Sequence, residues 1–163
     1  ESYWRYDFSQ MTQANQHFLN RDKQSGRYDI QGLTFTCPGH IYQPHELGST
    51  RFFIRGLFSQ LPRWGKKVLE IGTGSGAVGI CLAAAGLEVT LVDIDPLAVE
   101  SAKQNAQANQ IAVDVYQSDL FAAVPLQHYD SIFFNGNYFT FIKCNDFHLR
   151  SDKSNFQQII IKT

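Results

Sequence analysis

Residues 68–79 read Val-Leu-Glu-Ile-Gly-Thr-Gly-Ser-Gly-Ala-Val-Gly, an apolar strand that runs straight into a glycine-rich turn. No other stretch of the chain restricts its fold so strongly. Glycine is needed where a backbone must turn sharply or lie against a ligand with no Cβ in the way. The helix that follows presents unpaired backbone N–H groups to any anionic group placed before it. Strand, glycine turn and helix, in that order, open a βαβ unit and commit the neighbouring chain to a parallel sheet.

The rest of the sequence agrees with that commitment. Lys67 to Ile71 is a short apolar strand, residues 76–85 form a helix of small and aliphatic residues, and 88–92 form a second strand. Asp95-Pro96 supplies the N-cap and first-turn proline of a helix reaching about Asn109. Residues 113–116 and 129–134 give two more strands. The alternation predicts an α/β fold with a doubly wound, mostly parallel Rossmann-like sheet and right-handed crossovers. Upstream, Tyr28, Ile30, Leu33 and Phe35 around Gly32 read as a hairpin, which Pro38-Gly39 punctuates. Ser49 or Thr50 is placed to cap a helix carrying Phe53, Leu57 and Leu61. Residues 1–26, with aromatics at Tyr3, Trp4, Tyr6, Phe8 and Phe18, suggest one or two short helices on the main body. At the other end, 137–143 and 156–162 read as a C-terminal antiparallel hairpin.

Composition narrows the class. With 163 residues, 44% hydrophobic and 13% aromatic, the chain can fill one substantial core. A formal charge of −1 neither implies nor forbids a nucleic-acid partner, since a basic patch can sit on a neutral protein. Cys37, Cys81 and Cys144 are far apart and odd in number, which suggests free thiols in a reducing compartment. The longest small and apolar run, 76–87, is too short to span a bilayer. A soluble cytoplasmic protein without a membrane segment is expected.

Two fingerprints overlap on the glycine turn. Gly74-x-Gly76-x-x-Gly79, with Asp93 downstream, fits a dinucleotide site. Gly72-x-Gly74-x-Gly76, preceded by Glu70, fits a sulfonium cofactor instead. An acid beside a pyrophosphate would repel it, whereas beside a methionyl amino group it balances charge. Asp93 ends the second strand, where a carboxylate can accept both ribose hydroxyls; Asp95 already serves as the helix cap. Asp119 ends the third strand, where it can accept from an adenine amino group while Leu120 covers the ring. Taken singly, each acid is an ordinary turn or cap residue. Together they occupy the edge at which open α/β sheets bind ligands.

Five stretches carry a family resemblance: Gly32-Leu-Thr-Phe-Thr-Cys-Pro38-Gly39, Gly48-Ser-Thr-Arg51-Phe-Phe, the glycine turn, Val92-Asp-Ile-Asp-Pro96-Leu-Ala-Val99 and Tyr129-Asp-Ser-Ile-Phe-Phe-Asn135. Over about 32–135 the chain resembles the class I S-adenosylmethionine-dependent methyltransferases of the small-domain type. That group includes ribosomal RNA guanine-N2 and release-factor glutamine methyltransferases, and the first and second stretches are closer to the guanine group. The resemblance implies S-adenosylmethionine as cofactor and S-adenosylhomocysteine as product. It implies a cofactor site built from Glu70, Gly72, Thr73, Gly74, Gly76, Asp93, Ile94, Asp119 and Leu120, with the segment around 45–50 lying over it. Residues 1–48 would then be an N-terminal extension with a hairpin packed on the core, and 49–163 the cofactor-binding core.

The implied activity is methyl transfer to a planar amino or amide nitrogen, with a guanine exocyclic amine in RNA as first substrate and a protein glutamine as second. Asn135 is the implied catalytic residue. In the family an Asn-Pro-Pro-aromatic motif follows the fourth strand, and its Asn side chain and next carbonyl accept hydrogen bonds from the NH2 group. Such bonds aim the nitrogen lone pair at the methyl carbon, so positioning provides most of the rate. Here Asn135 is followed by Gly136-Asn137-Tyr138, without either proline. The family also expects a helix, a strand and a further helix before the closing hairpin. We therefore expect residues to be missing between Asn135 and Gly136; the rival reading is a short, inactive methyltransferase-like binding module. An NAD-binding oxidoreductase domain is a further alternative.

The five histidines, His17, His40, His45, His128 and His148, show no metal-ligand spacing, so no metal is expected. His45 could approach the cofactor. Arg51, Arg55, Arg63, Lys66 and Lys67 make a local basic excess, which is usually a solvated face and only weakly suggests phosphate contact.

Overall fold

A strand that is apolar on both faces belongs at the centre of a parallel sheet, and Lys67–Ile71 (β3) is such a strand, buried at every position after its first. The computed structural model describes residues 25–44, 49–63, 65–135 and 139–143, and only the backbone path of residues 49, 62, 135 and 139–143. Gly26–Ile30 (β1) and Leu33–Cys37 (β2) form the expected antiparallel hairpin. Then follow the helix Ser49–Phe58 (α1), β3, the helix Ala77–Ala84 (α2) and the strand Glu88–Asp93 (β4). The helix Pro96–Ala108 (α3) and the strands Asp114–Gln117 (β5), Ser131–Asn135 (β6) and Phe139–Lys143 (β7) complete the order. Among the described residues the main sheet is ordered β5-β4-β3-β6-β7. Four strands run parallel and β7 lies antiparallel to β6.

Strand alternation divides the core in two. One face presents Val68, Val89, Leu91 and Phe133 to α2, α3, α1 and the hairpin, with Ile30, Phe35, Ile54, Ile80 and Ala102 closing the cluster. Phe53 meets Phe133 edge-on at 5.9 Å between ring centroids, a favourable quadrupole arrangement. The other face presents Leu69, Ile71, Val92 and Ile132, covered by Val124, Tyr129 and Phe121 from the non-helical connection 118–130. Both described crossover helices thus lie on the first face.

Helix α2 is buried from Ala77 to Leu82 and lies close to the sheet because residue 79 is glycine. A Cβ there would run into the Leu91 side chain and come within 2.7 Å of Glu70 Oε2 and 3.1 Å of Val89. Gly79→Ala would gain about 1 kcal/mol of helix propensity but overpack the interface by about 1–3 kcal/mol or more. A lower urea midpoint is therefore expected; an unchanged or higher one would mean that α2 is not held this tightly.

Several boundaries differ from expectation for local reasons. Ser49 and Thr50 fall inside α1 rather than at its cap, and Leu61 belongs to a separate 3-10 turn, Leu61–Arg63, after the helix ends. Pairing of β6 begins at Ser131 rather than at Tyr129, because Asp130 turns its carboxylate back onto the N–H groups of Lys66 and Lys67, at 2.7 and 2.8 Å. That arrangement holds the Asp130 carboxyl below its ordinary pKa. Strand β5 starts at Asp114, one residue later than the alternation suggested. Strand β7 covers 139–143 of the first arm expected for a C-terminal hairpin and pairs with β6; the expected second arm, 156–162, and residues 1–24, where short helices are expected, lie outside the described residues.

Candidate functional site

From β3 the chain steps outward through β4 to β5 and then returns to the opposite side of β3 as β6. A crevice opens outside the carboxyl ends of two neighbouring strands where the order reverses in this way. The glycine turn leaves β3 at that point. Strand β6 ends there too, with Phe134 paired to Ile71 and Asn135 the next residue.

The turn is held by backbone and side-chain bonds together. Gly72, Gly74 and Gly76 have φ of 72°, 57° and 80°, the left-handed region that glycine adopts without Cβ strain. The N–H groups of Gly72 and Thr73 both donate to the Val92 carbonyl, at 2.9 and 3.1 Å, fastening the turn to β4. Gly74 N–H donates to Asp93 Oδ2 at 2.8 Å, and Asp95 N–H donates to Asp93 Oδ1 at 3.0 Å. Asp93 thus ties the turn to the end of β4, while Asp95 caps α3 by accepting from Leu97 N–H, as its position before Pro96 suggested. The glycines divide their roles. A Cβ on Gly76 would come within 2.8 Å of Ile80 and 3.1 Å of Ala102, so Gly76 answers to helix packing; Gly74 meets only Ile41, at 3.4 Å.

Glu70 lies beneath the turn with no exposed surface. Its Oε2 accepts from Thr73 Oγ1 and from Gly79 N–H, each at 2.9 Å, so it braces both ends of the turn. Its Oε1 has no partner among the described residues. Loss of hydration pushes this carboxyl up to about 8, the two hydrogen bonds oppose the shift, and the nearby Asp93 charge adds to it.

The ends of β4 and β5 meet beside the turn. Ser118 N–H donates to the Asp93 carbonyl at 2.9 Å, and Gln117 Nε2 donates to the Ile94 carbonyl at 3.2 Å. Ser118 Oγ accepts from Ala123 N–H and donates to the Leu120 carbonyl, closing a tight turn that leaves Asp119 exposed. Leu120 sits at φ 48°, uncommon for a residue with a side chain. Strained backbone of this kind concentrates at functional sites. Ile94 is 63% exposed and Leu120 36% exposed, two large apolar side chains uncovered on adjoining strand ends.

The structure therefore brings Gly72, Thr73, Gly74, Asp93, Ile94, Asp119, Leu120 and the backbone of Asn135 to one edge of the sheet. Residues 45–48 and 136–138, including His45, lie outside the described residues. Lys66 and Lys67 face Glu88 at 3.6 and 3.8 Å, and Arg51 donates to the carbonyls of Pro44 and Asp29. Most of the basic excess thus has local partners. The sequence reading overlooked Asn105 and Asn109, although polar residues on the Ala98–Ala102–Ala106 face of α3 were a visible signal. Among the described residues no cluster of three His, Cys, Asp or Glu is arranged to hold a metal. No described helix is long and apolar enough to cross a membrane.

Known proteins fit this geometry. A Chromohalobacter salexigens protein named ribosomal RNA small subunit methyltransferase C is 39% identical over 111 residues, covering 67% of this chain and 33% of that one. A Methanocaldococcus jannaschii protein, by name a protein N5-glutamine methyltransferase, is 34% identical over 111 residues, covering 68% and 53%. The Thermus thermophilus 16S rRNA N2 G1207 methyltransferase, solved with AdoMet and guanosine, superposes with a TM-score of 0.58 at 25% identity, covering 70% and 33%. The chain thus spans a third to about half of the length of these relatives. Residues 48–138 match the methyltransferase small domain, a stretch that takes in the glycine turn, both acid-bearing strand ends and Asn135. The dinucleotide reading of the glycines is set aside accordingly, and the chain belongs to the methyltransferase small domain family.

Proposed function

We propose that the crevice at the switch point binds S-adenosylmethionine, and that the protein transfers its methyl group to a planar NH2 nitrogen, most readily a guanine exocyclic amine in RNA. One observation carries the reading: a glycine turn, two acids and two uncovered apolar side chains converge at the edge where β3 and β6 part. The residues present fit this cofactor. Each Asp93 oxygen already accepts one backbone N–H and retains room for a further donor, which suits ribose hydroxyls. Ile94 and Leu120 stand uncovered on adjoining strand ends, available to cover a flat ring, with Asp119 exposed beside Leu120 to accept from its amino group. Most N–H groups of the turn are taken up by the bonds described above, and those left at the start of α2 suit a carboxylate.

When bound, the cofactor supplies a methyl group on a positively charged sulfur, transferred by in-line displacement. The chain's own part is placement. Asn135 closes β6 one residue beyond the Ile71–Phe134 pair, where an amide can hold an NH2 group in line with the transferred methyl. Guanine is favoured by the sequence similarity to the ribosomal RNA methyltransferases and by the likeness to the enzyme solved with AdoMet and guanosine. The test is transfer of labelled methyl to RNA and to a glutamine-bearing protein fraction. Label on guanine in RNA supports the proposal, label on glutamine overturns the substrate, and label in neither from a protein that binds S-adenosylhomocysteine overturns the transferase.

A further inference from the structure

Helix α3 holds the hairpin chiefly by two side-chain amides, with the Ser101 hydroxyl adding a longer bond to the Thr36 carbonyl at 3.4 Å. Asn105 Oδ1 accepts from Thr36 N–H at 2.8 Å, and Asn105 Nδ2 donates to the Thr36 carbonyl at 3.0 Å. One helical turn later, Asn109 Oδ1 accepts from Thr34 N–H at 3.0 Å and Asn109 Nδ2 donates to the Thr34 carbonyl at 2.8 Å. The spacing explains the match: four helical residues rise about 6 Å, and two strand residues rise about 6.7 Å. The two amides thus imitate a neighbouring strand and cover the edge of β2 that β1 leaves unpaired.

The two asparagines differ in what else they bond. Asn105, 3% exposed, also donates from Nδ2 to the carbonyl of Ser75 at 2.8 Å, inside the glycine turn. Asn109 makes no such bond; its Nδ2 instead donates to the Asn105 carbonyl of its own helix. Asn105 is therefore a single buried amide on which the hairpin, α3 and the turn converge. The chain after the hairpin reaches the same place. Gln43 Nε2 donates to the carbonyls of Cys37, Pro38 and Ile41, which folds 37–43 into a tight bend. That bend sets Ile41 over Gly74, 3.4 Å from where a Cβ would stand. Burial pushes the Cys37 thiol at the end of β2 up, and the neighbouring Ser75 side chain partly offsets that rise.

We infer that Asn105 is a positioning residue for the cofactor site, fixing the glycine turn against the N-terminal hairpin so that hairpin and turn act as one wall. The inference rests on the proposed cofactor reading and adds a role for residues that touch no cofactor. Asn109 supplies the matched control, because its loss removes the same kind of bonds from the same strand without touching the turn.

Asn105→Ala and Asn109→Ala are to be compared by urea unfolding and by calorimetric titration with S-adenosylhomocysteine. Asn105→Ala is expected to raise the Kd at least tenfold, and Asn109→Ala less than twofold, beyond any difference in their unfolding midpoints. A second measurement uses the unaltered chain, in case Asn105→Ala does not fold. Binding of S-adenosylhomocysteine should slow amide hydrogen exchange at Thr36, which is bonded to Asn105, more than at Thr34, which is bonded to Asn109. Equal Kd changes in the two variants, or equal protection of Thr34 and Thr36, would overturn the inference and leave the cofactor reading standing. No binding by the folded, unaltered chain would overturn both.

Discussion

Asn135→Ala is expected to lower methyl transfer by about a hundredfold or more while the Kd for S-adenosylhomocysteine stays within about twofold. The two readouts separate because of where β6 ends. Strand register pairs Phe134 with Ile71, so Asn135 stands where the glycine turn leaves β3, on the far side of β3 from the Asp93 and Asp119 strand ends. Under the proposed function a residue so placed meets the nitrogen that receives the methyl group, since an amide offers both an acceptor and donors. In-line displacement needs little proton chemistry, so loss of alignment accounts for most of the loss in rate. A parallel fall in cofactor affinity would instead mark Asn135 as part of the cofactor site. Unchanged transfer would remove it from the chemistry.

Glu70 governs the second large effect, which is a pH dependence of stability. Its carboxyl titrates near 8 in the folded chain against an ordinary value of 4.5. Between those values the folded state holds a proton that the unfolded state has released, so stability falls as pH rises through this window. The slope from this one group is at most about 1.4 kcal/mol per pH unit, which makes the whole effect several kcal/mol in order of magnitude. Asp130, with its depressed value, contributes stability that is fully present above its ordinary 3.8 and lost only below it, and so does not blur the window. Glu70→Gln keeps an acceptor for Thr73 and Gly79 and cannot ionise. Its stability should be flatter than that of the unaltered chain between pH 5 and 8, and higher at pH 8. Equal slopes in the two proteins would show that Glu70 is not buried as a neutral group.

The strands and helices were legible because their signals are local. The run of apolar residues in β3, the Asp95-Pro96 start of α3 and the Gly32 hairpin each specify backbone geometry within a few residues, and each element formed where it was read. The candidate site was legible in outline for a topological reason: residues at the ends of successive parallel strands meet at one edge whatever lies between them. What the sequence concealed was which partner each polar group would choose. Glu70 reads as a charge beside a ligand, yet the close approach of α2 at Gly79 turns it inward to hold the turn from beneath. Gly76 reads as a ligand-facing glycine and is needed at least as much for its packing against Ala102. Asn105 reads as one more polar residue on a helix, because its partners Thr36 and Ser75 lie 69 and 30 residues away in sequence.

Calorimetric titration of the chain with S-adenosylhomocysteine, alongside Asp93→Ala, tests the central claim most directly. Asp93 fastens Gly74 and is proposed to accept the ribose hydroxyls, so saturable binding at one site is expected. At least about a tenfold loss is also expected in Asp93→Ala, the equivalent of one charge-assisted hydrogen bond of about 1.4 kcal/mol or more, in a variant that still unfolds cooperatively. Absence of binding by the folded chain, or equal affinity in Asp93→Ala, would contradict the claim.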